Sequence, residues 1–374
     1  MHRNLIKTLI GLAIGAFFIW LSARDSPLDQ LVGPMRFEAG HFIVGSGFVP
    51  VGAAGQKALL AANGWSLDLV WLLPYLSILV LVHVLRVVRY RPLLNPITRL
   101  SLRDHNRIGA VGFMAMFLFP LRLGELVRPY LVKKTTGSSV RMSEVLATVA
   151  VERIVDGLVV ALLLFGILTL LPHTDPATAT KLEVGAVFAL ALFAGASLLL
   201  AGARWQHART RRFVEFTAGL VSKRLAAFID HILEAFLRGL RRLPSARAFL
   251  LFLSLTIVYW AINGVGVWCM VRAFYLPVDL VGAYAMMACV VVGMMIPNSP
   301  GNVGSFWYFL LLPITLYGVG HGSTQATAFG LTVWLMQLLQ QTAFGAWFII
   351  RHQVTWKGVV AATYEDEQSL ITET

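Results

Sequence analysis

Two groups of charged residues are spaced to act together inside an otherwise apolar chain. Arg122, Glu125 and Arg128 stand at three-residue steps, so a helix would carry them on one face. Guanidinium groups suit two-point contacts with phosphate, and the N-terminus of a half-helix adds backbone N–H donors for an anion. Glu125 would hold the arginines in place or exchange a proton. Glu152, Arg153 and Asp156 fall within the apolar run 144–171, with Glu152 and Asp156 one turn apart. Charge at that depth is costly unless paired or hydrated. These residues therefore mark a functional site, a structural ion pair to Arg122 or Arg128, or both. Asn298, Ser299 and Asn302 form an uncharged third group, suited to capping a broken helix or touching a head group. Gln337, Gln340 and Gln341 cluster on one face of the last apolar run and should face protein or water. His83 and Arg86 lie a turn apart at the end of the second run, where Arg86 is expected to snorkel toward the surface. The substrate-binding set read here is Arg122, Glu125, Arg128, Glu152, Arg153, Asp156, Asn298 and Asn302. No catalytic, metal-binding or cofactor-binding set is read.

The elements that must position these residues are interrupted ones. AVGFMAMFLF is followed by PLRLGE, with Pro120 and Gly124. MACVVVGMMI is followed by PNSPGN, with Pro297, Pro300 and Gly301, and then Gly304. Pro removes a backbone donor and Gly admits unusual angles, so both segments should unwind there. Irregular backbone at membrane depth survives only when buried in protein or lining a wet cavity. A pair of such breaks in corresponding halves points to a substrate site between inverted repeats.

Composition places the whole chain in a bilayer. Of its 374 residues, 57% are hydrophobic and 13% charged, and the mean hydropathy is +0.72. No run of strand-length alternation suggests an outer-membrane barrel. The expected fold is an all-α polytopic membrane protein. It has about six full spans, near 5–22, 66–85, 144–171, 182–203, 248–271 and 325–350, plus two broken or re-entrant hairpins at 108–135 and 281–318. Cys269 and Cys289 sit in apolar runs and read as small core residues. The net charge of +12 points to basic loops beside anionic lipid, with no nucleic acid as partner.

Loop charge orients the spans. The stretch 86–107 holds six arginines against Asp104, and 204–247 holds ten basic residues against three acidic ones, while 23–65 is neutral. The positive-inside rule then puts both termini in the cytoplasm of a cytoplasmic (inner) membrane protein. The 281–318 element can be re-entrant or a tight pair of full spans. By analogy with 108–135 it is re-entrant, from the opposite face. Residues 1–350 read as one membrane domain, 204–247 as a basic amphipathic segment on the leaflet, and 351–374 as a tail with an acidic, disordered end.

PLRLGELVRPYLVKK at 120–134, ATVAVERIVDG at 147–157, IPNSPGNVG at 296–304 and LRVVRYRPLL at 85–94 together resemble the flippase-like transmembrane region of lysylphosphatidylglycerol synthases. The resemblance covers roughly 66–350. It implies movement of an anionic, aminoacylated or glycosylated lipid between leaflets. It implies roles for Arg122, Gly124, Glu125, Arg128, Glu152, Arg153, Asp156, Pro297, Pro300, Gly301 and Gly304. The chain departs from the pattern at Asn302, where the family often has glycine, and at Trp307, where it often has Glu. The aminoacyl-transferase domain is absent from this sequence, so no synthesis of lysyl lipid is expected of this chain itself.

The leading function is therefore a lipid translocator taking a phosphate-bearing phospholipid or polyprenyl-linked lipid, and no enzyme. Two alternatives are a membrane glycosyltransferase using Asp25 and Asp29, and a non-transporting scaffold for a lipid-modifying enzyme. A homo-oligomer is compatible with all three.

Overall fold

The structure, a computed structural model, describes residues 2–23, 27–137, 140–172, 174–205, 244–295, 299–320 and 322–364. Pro297, Asn298, Asp25, most of 204–247 and the acidic end of the tail lie outside these residues. The chain opens with α1 (His2–Ala23). A small antiparallel sheet follows, β1 (Met35–Glu38), β2 (His41–Gly45) and β3 (Gly64–Asp68), in that spatial order, with α2 (Gly52–Leu60) between the last two strands. Then come α3 (Leu69–Leu94), α4 (Leu102–Leu118), a 3₁₀ segment at Pro120–Leu126, α5 (Val127–Thr136), α6 (Met142–Ile167) and α7 (Pro176–Trp205). The second half holds α8 (Ala246–Ala273), α9 (Leu280–Met294), a 3₁₀ turn at Pro300–Asn302, α10 (Ser305–Leu311), α11 (Thr324–Ile350) and α12 (Trp356–Tyr364).

Among the described residues α3, α6, α7, α8 and α11 are long and apolar enough to cross a bilayer. The corresponding stretches of α1 and α9, Leu9–Leu21 and Leu280–Met294, are shorter. Side chains such as Leu73, Phe188, Leu198, Leu250 and Leu339 point outward on these helices, as a lipid-facing surface requires. Several helices start on a polar residue whose side chain caps them. Asp68 accepts from Val70 N, Ser101 from Asp104 N, Ser245 from Ala248 N, and Asp279 from Gly282 N.

The bundle holds two apolar cores separated by a polar layer. Tyr75, Leu79, Val160, Leu164, Met270, Phe274 and Phe329 belong to one core. Leu93, Leu94, Val111, Val127, Val145, Val149 and Phe252 belong to the other. Where the two sets meet, α3 carries Arg86 and Arg89, α6 carries Glu152 and Asp156, and α8 carries Thr256.

Three expectations are corrected. The stretch from residue 86 is no loop at first: α3 runs on to Leu94, so Arg86, Arg89 and Arg91 are helical. Leu85, Leu93 and Leu94 pack on the two apolar cores and Val87 is buried, which holds this basic stretch in the bundle. The neutral stretch 23–65 is also more than a loop, since it forms most of the three-stranded sheet. Its outer edge at β3 is closed by a side chain: Gln325 accepts from Ser66 N (2.8 Å) and donates to Ser66 O (2.8 Å) and Phe274 O (2.6 Å). The segment read as a tail begins with α12, which packs back onto the 120–126 segment, Trp356 stacking on Phe119 at 5.9 Å.

Candidate functional site: an arginine-rich cavity at two broken helices

Four helices, α3, α5, α6 and α8, build the polar layer. On α3, Arg89 is 1% exposed and donates to both carboxylates of α6. It bonds Glu152 at 3.0 Å and grips both oxygens of Asp156. Spacing explains this: Glu152 and Asp156 are one turn apart and so reach one guanidinium fork. From α8, Thr256 accepts from Arg89 (3.2 Å), Trp260 donates to Asp156 (3.1 Å), and the Tyr259 ring lies 4.3 Å from the Arg89 guanidinium carbon. Arg128, on α5, donates to the other oxygen of Glu152 at 2.7 Å, with its guanidinium over the Tyr90 ring. Arg153 lies 3.3 Å from Glu152 and 3.7 Å from Asp156. Both carboxylates are thus fully engaged. A buried charge removed from such a set leaves its partners uncompensated, which typically costs several kcal/mol.

Above this layer opens a cavity of about 110 Å³. Arg86, Arg89, Arg122, Arg153 and Asp156 give it a charged floor, with Tyr259, Asn263, Gln337 and Gln341 beside them. The far wall is apolar: Met287, Val290, Val291, Met294, Phe306 and Leu310. Arg86 donates to Tyr259 OH (2.7 Å) and Gln341 Oε1 (3.2 Å) and lies over Phe113. Among the described residues no carboxylate pairs with it.

The first break lines this cavity through Arg122, and the helix ends flanking the second line it through Met295 and Phe306. In the first, Phe119 turns extended, Pro120 starts the 3₁₀ segment, and Arg122 adopts a left-handed backbone (φ 59°). That conformation is rare for a side chain other than Gly, Asn or Asp. A Cβ at Gly124 would collide with the backbone of Ala115, so only glycine lets the segment fold back against α4. In the second, Gly301 (φ 69°), Asn302 (φ 51°) and Gly304 (φ 82°) are all left-handed. Trp334 donates to Gly301 O (2.8 Å) and packs edge-on against Trp307. The two breaks touch each other, and α1 lies across both: Gly11 meets Pro120 and Gly15 meets Ser299.

Of the residues singled out by sequence, Arg122, Arg153 and Asp156 line the cavity, and Glu125 pairs with Arg122 at 2.9 Å. Arg128 and Glu152 are buried beneath it. Arg122, Glu125 and Arg128 do not share one helical face, because the backbone turns at Arg122 and Arg128 reaches back to Glu152. Asn302 lies in the second break away from the cavity lining. Asn serves there in glycine's place because it tolerates φ > 0. Neither Ser299 nor Asn302 caps a helix; the Ser299 hydroxyl donates to Val303 O. Gln337 and Gln341 line the cavity as their cluster suggested, without Gln340. Sequence reading missed Arg89 and misread Arg86, which turns inward instead of snorkelling. The available signal was their i,i+3 spacing inside LRVVRYRPLL, an apolar helical frame.

The matching family model is described as the lysylphosphatidylglycerol synthase TM region, and it covers residues 40–345. The chain belongs to this family. A search of curated proteins finds no match. Every residue of the charged layer and of the cavity falls within the family's matched region, as do both breaks. Helices α1 and α12, which brace the breaks, lie outside it.

Proposed function

We propose that this member of the lysylphosphatidylglycerol synthase TM-region family carries a phosphate-bearing lipid between leaflets. The observation that carries the reading is a charge imbalance. Arg86, Arg89, Arg122, Arg128 and Arg153 face Glu125, Glu152 and Asp156, so five guanidiniums meet three carboxylates around one cavity. Two positive charges left over within a bilayer call for an anion. The apolar wall opposite suits the first methylenes of acyl or prenyl chains. Arg86, Arg122 and Arg153 would meet the phosphate. Arg89, Arg128, Glu152 and Asp156 would hold them in position, and Glu125 would set the Arg122 guanidinium.

The broken elements 108–135 and 281–318 are read as re-entrant hairpins from opposite faces, forming an inverted repeat whose tips meet beside the cavity. One repeat rocking against the other would expose the site to each leaflet in turn. The basic stretches around 99–107 and 204–247 favour a cytoplasmic membrane with both termini inside. The reading is a carrier and not an enzyme because Glu152 and Asp156 are engaged by guanidiniums, leaving neither free as a general base.

The test is leaflet-resolved lipid movement in proteoliposomes over anionic, aminoacylated, zwitterionic and polyprenyl-phosphate lipids. Wild type should move one phosphate-bearing class, and Arg86→Gln and Arg122→Gln should each lose that movement while staying folded. Unchanged movement in both variants would overturn the site.

A further inference from the structure

Outside the cavity, the least explained surface is one face of the small sheet. Strand alternation and register put Met35, Phe37, Phe42, Val44, Trp65 and Leu67 on that face. Its inner part is docked on the bundle: Val44 and Leu67 are buried, and Trp65 stacks on Phe274 at 6.0 Å. Phe274 in turn packs edge-on against Phe329. The row continues outward through Phe42 (5.4 Å from Trp65) to Phe37 (4.9 Å from Phe42). There it ends in the open, with Phe37 72% and Met35 65% exposed. The reverse face of β1 is polar. Arg36 bonds the carbonyls of Gly45 and Gly47 and lies 3.9 Å from Glu38.

We infer that this overhanging face is seated in the lipid leaflet on the side of residues 27–68, as an interfacial anchor. Continuity with the lipid-facing surface identifies the occupant. The turn joining β1 and β2 is tied to the start of a span, with Leu69 N donating to Gly40 O at 3.2 Å. The first turns of that span turn Val70 and Leu73 outward at 68% and 69% exposure. Phe37 is one residue pair in from the same turn region, at the level where a span enters the bilayer. Aromatic and apolar side chains at that level partition into the head-group boundary, while Arg36 and Glu38 keep their polar face toward water.

The experiment places single cysteines at 35, 36, 37 and 38 in the full chain, labels them with an environment-sensitive dye, and reconstitutes the protein at one copy or fewer per vesicle. Wild type, whose Cys269 and Cys289 are both buried, is the labelling control. Shallow spin-labelled lipid should quench positions 35 and 37 and not 36 and 38, with aqueous iodide giving the opposite pattern. Iodide quenching of all four positions alike would overturn the anchor. So would shielding of 35 and 37 that arises only when several copies share a vesicle, which would assign the face to a second copy of the chain.

Discussion

Arg89 and Arg86 sit a turn apart on one helix and should fail in different ways. Arg89 serves both carboxylates of α6. Arg89→Leu therefore strands buried negative charge and should cost about 3–5 kcal/mol, seen as a lower Tm in detergent. Arg86 donates to neutral partners, so Arg86→Gln should change stability by about 1 kcal/mol or less and lose transport instead. Arg122 separates strain from function in a third way. Its left-handed backbone carries about 1–2 kcal/mol of strain that glycine does not have. Arg122→Gly should keep or raise Tm and still abolish lipid movement, whereas a purely structural arginine would show both falling together.

At the scale of elements, α1 braces the two breaks through Gly11 and Gly15, four residues apart. Putting leucine at both positions should push the helix off Pro120 and Ser299. The expected result is a lower Tm and loss of cross-linking between cysteine pairs engineered on α1 and each break; retained cross-linking would show that another contact holds α1. The sheet docks on the bundle partly through Tyr275, whose hydroxyl lies 2.7 Å from His41 Nδ1. Burial first, and then Asp68, push this phenol up to about 12. The folded state therefore favours the neutral form. Its contribution is whole below the ordinary tyrosine value near 10 and is lost as pH rises from about 10 through 12. Protection of β2 amides, normalised to the base-catalysed intrinsic exchange rate, should fall over that window in wild type and not in Tyr275→Phe.

The whole molecule joins sheet and bundle through Gln325. Gln325→Leu leaves the Ser66 N–H and two carbonyls without that side chain and should cost about 2–4 kcal/mol in a thermal melt. Such long-range ties were not legible in the sequence. Gln325 reads there as one polar residue at the head of an apolar run. The broken helices were legible, because Pro120, Pro300, Gly301 and Gly304 act on their own backbone. Glu152 and Asp156 were legible as a pair, because helical spacing is local. Arg89 was not, because charge counting cannot tell a loop arginine from one drawn inward by partners 63 and 67 residues away. The short strands escaped for a similar reason: four or five residues carry too little alternation to stand out. The position of α1 bears finally on how the protein is made. Gly15 leaves the ribosome 284 residues before Ser299, its contact at the second break. At roughly 5–20 residues per second that interval is on the order of 15–60 s. Throughout it the Gly15 side of the first helix is without its Ser299 contact, so a chain stalled or truncated before the second break would present that side to whichever insertion factor or quality-control protease surveys the nascent protein.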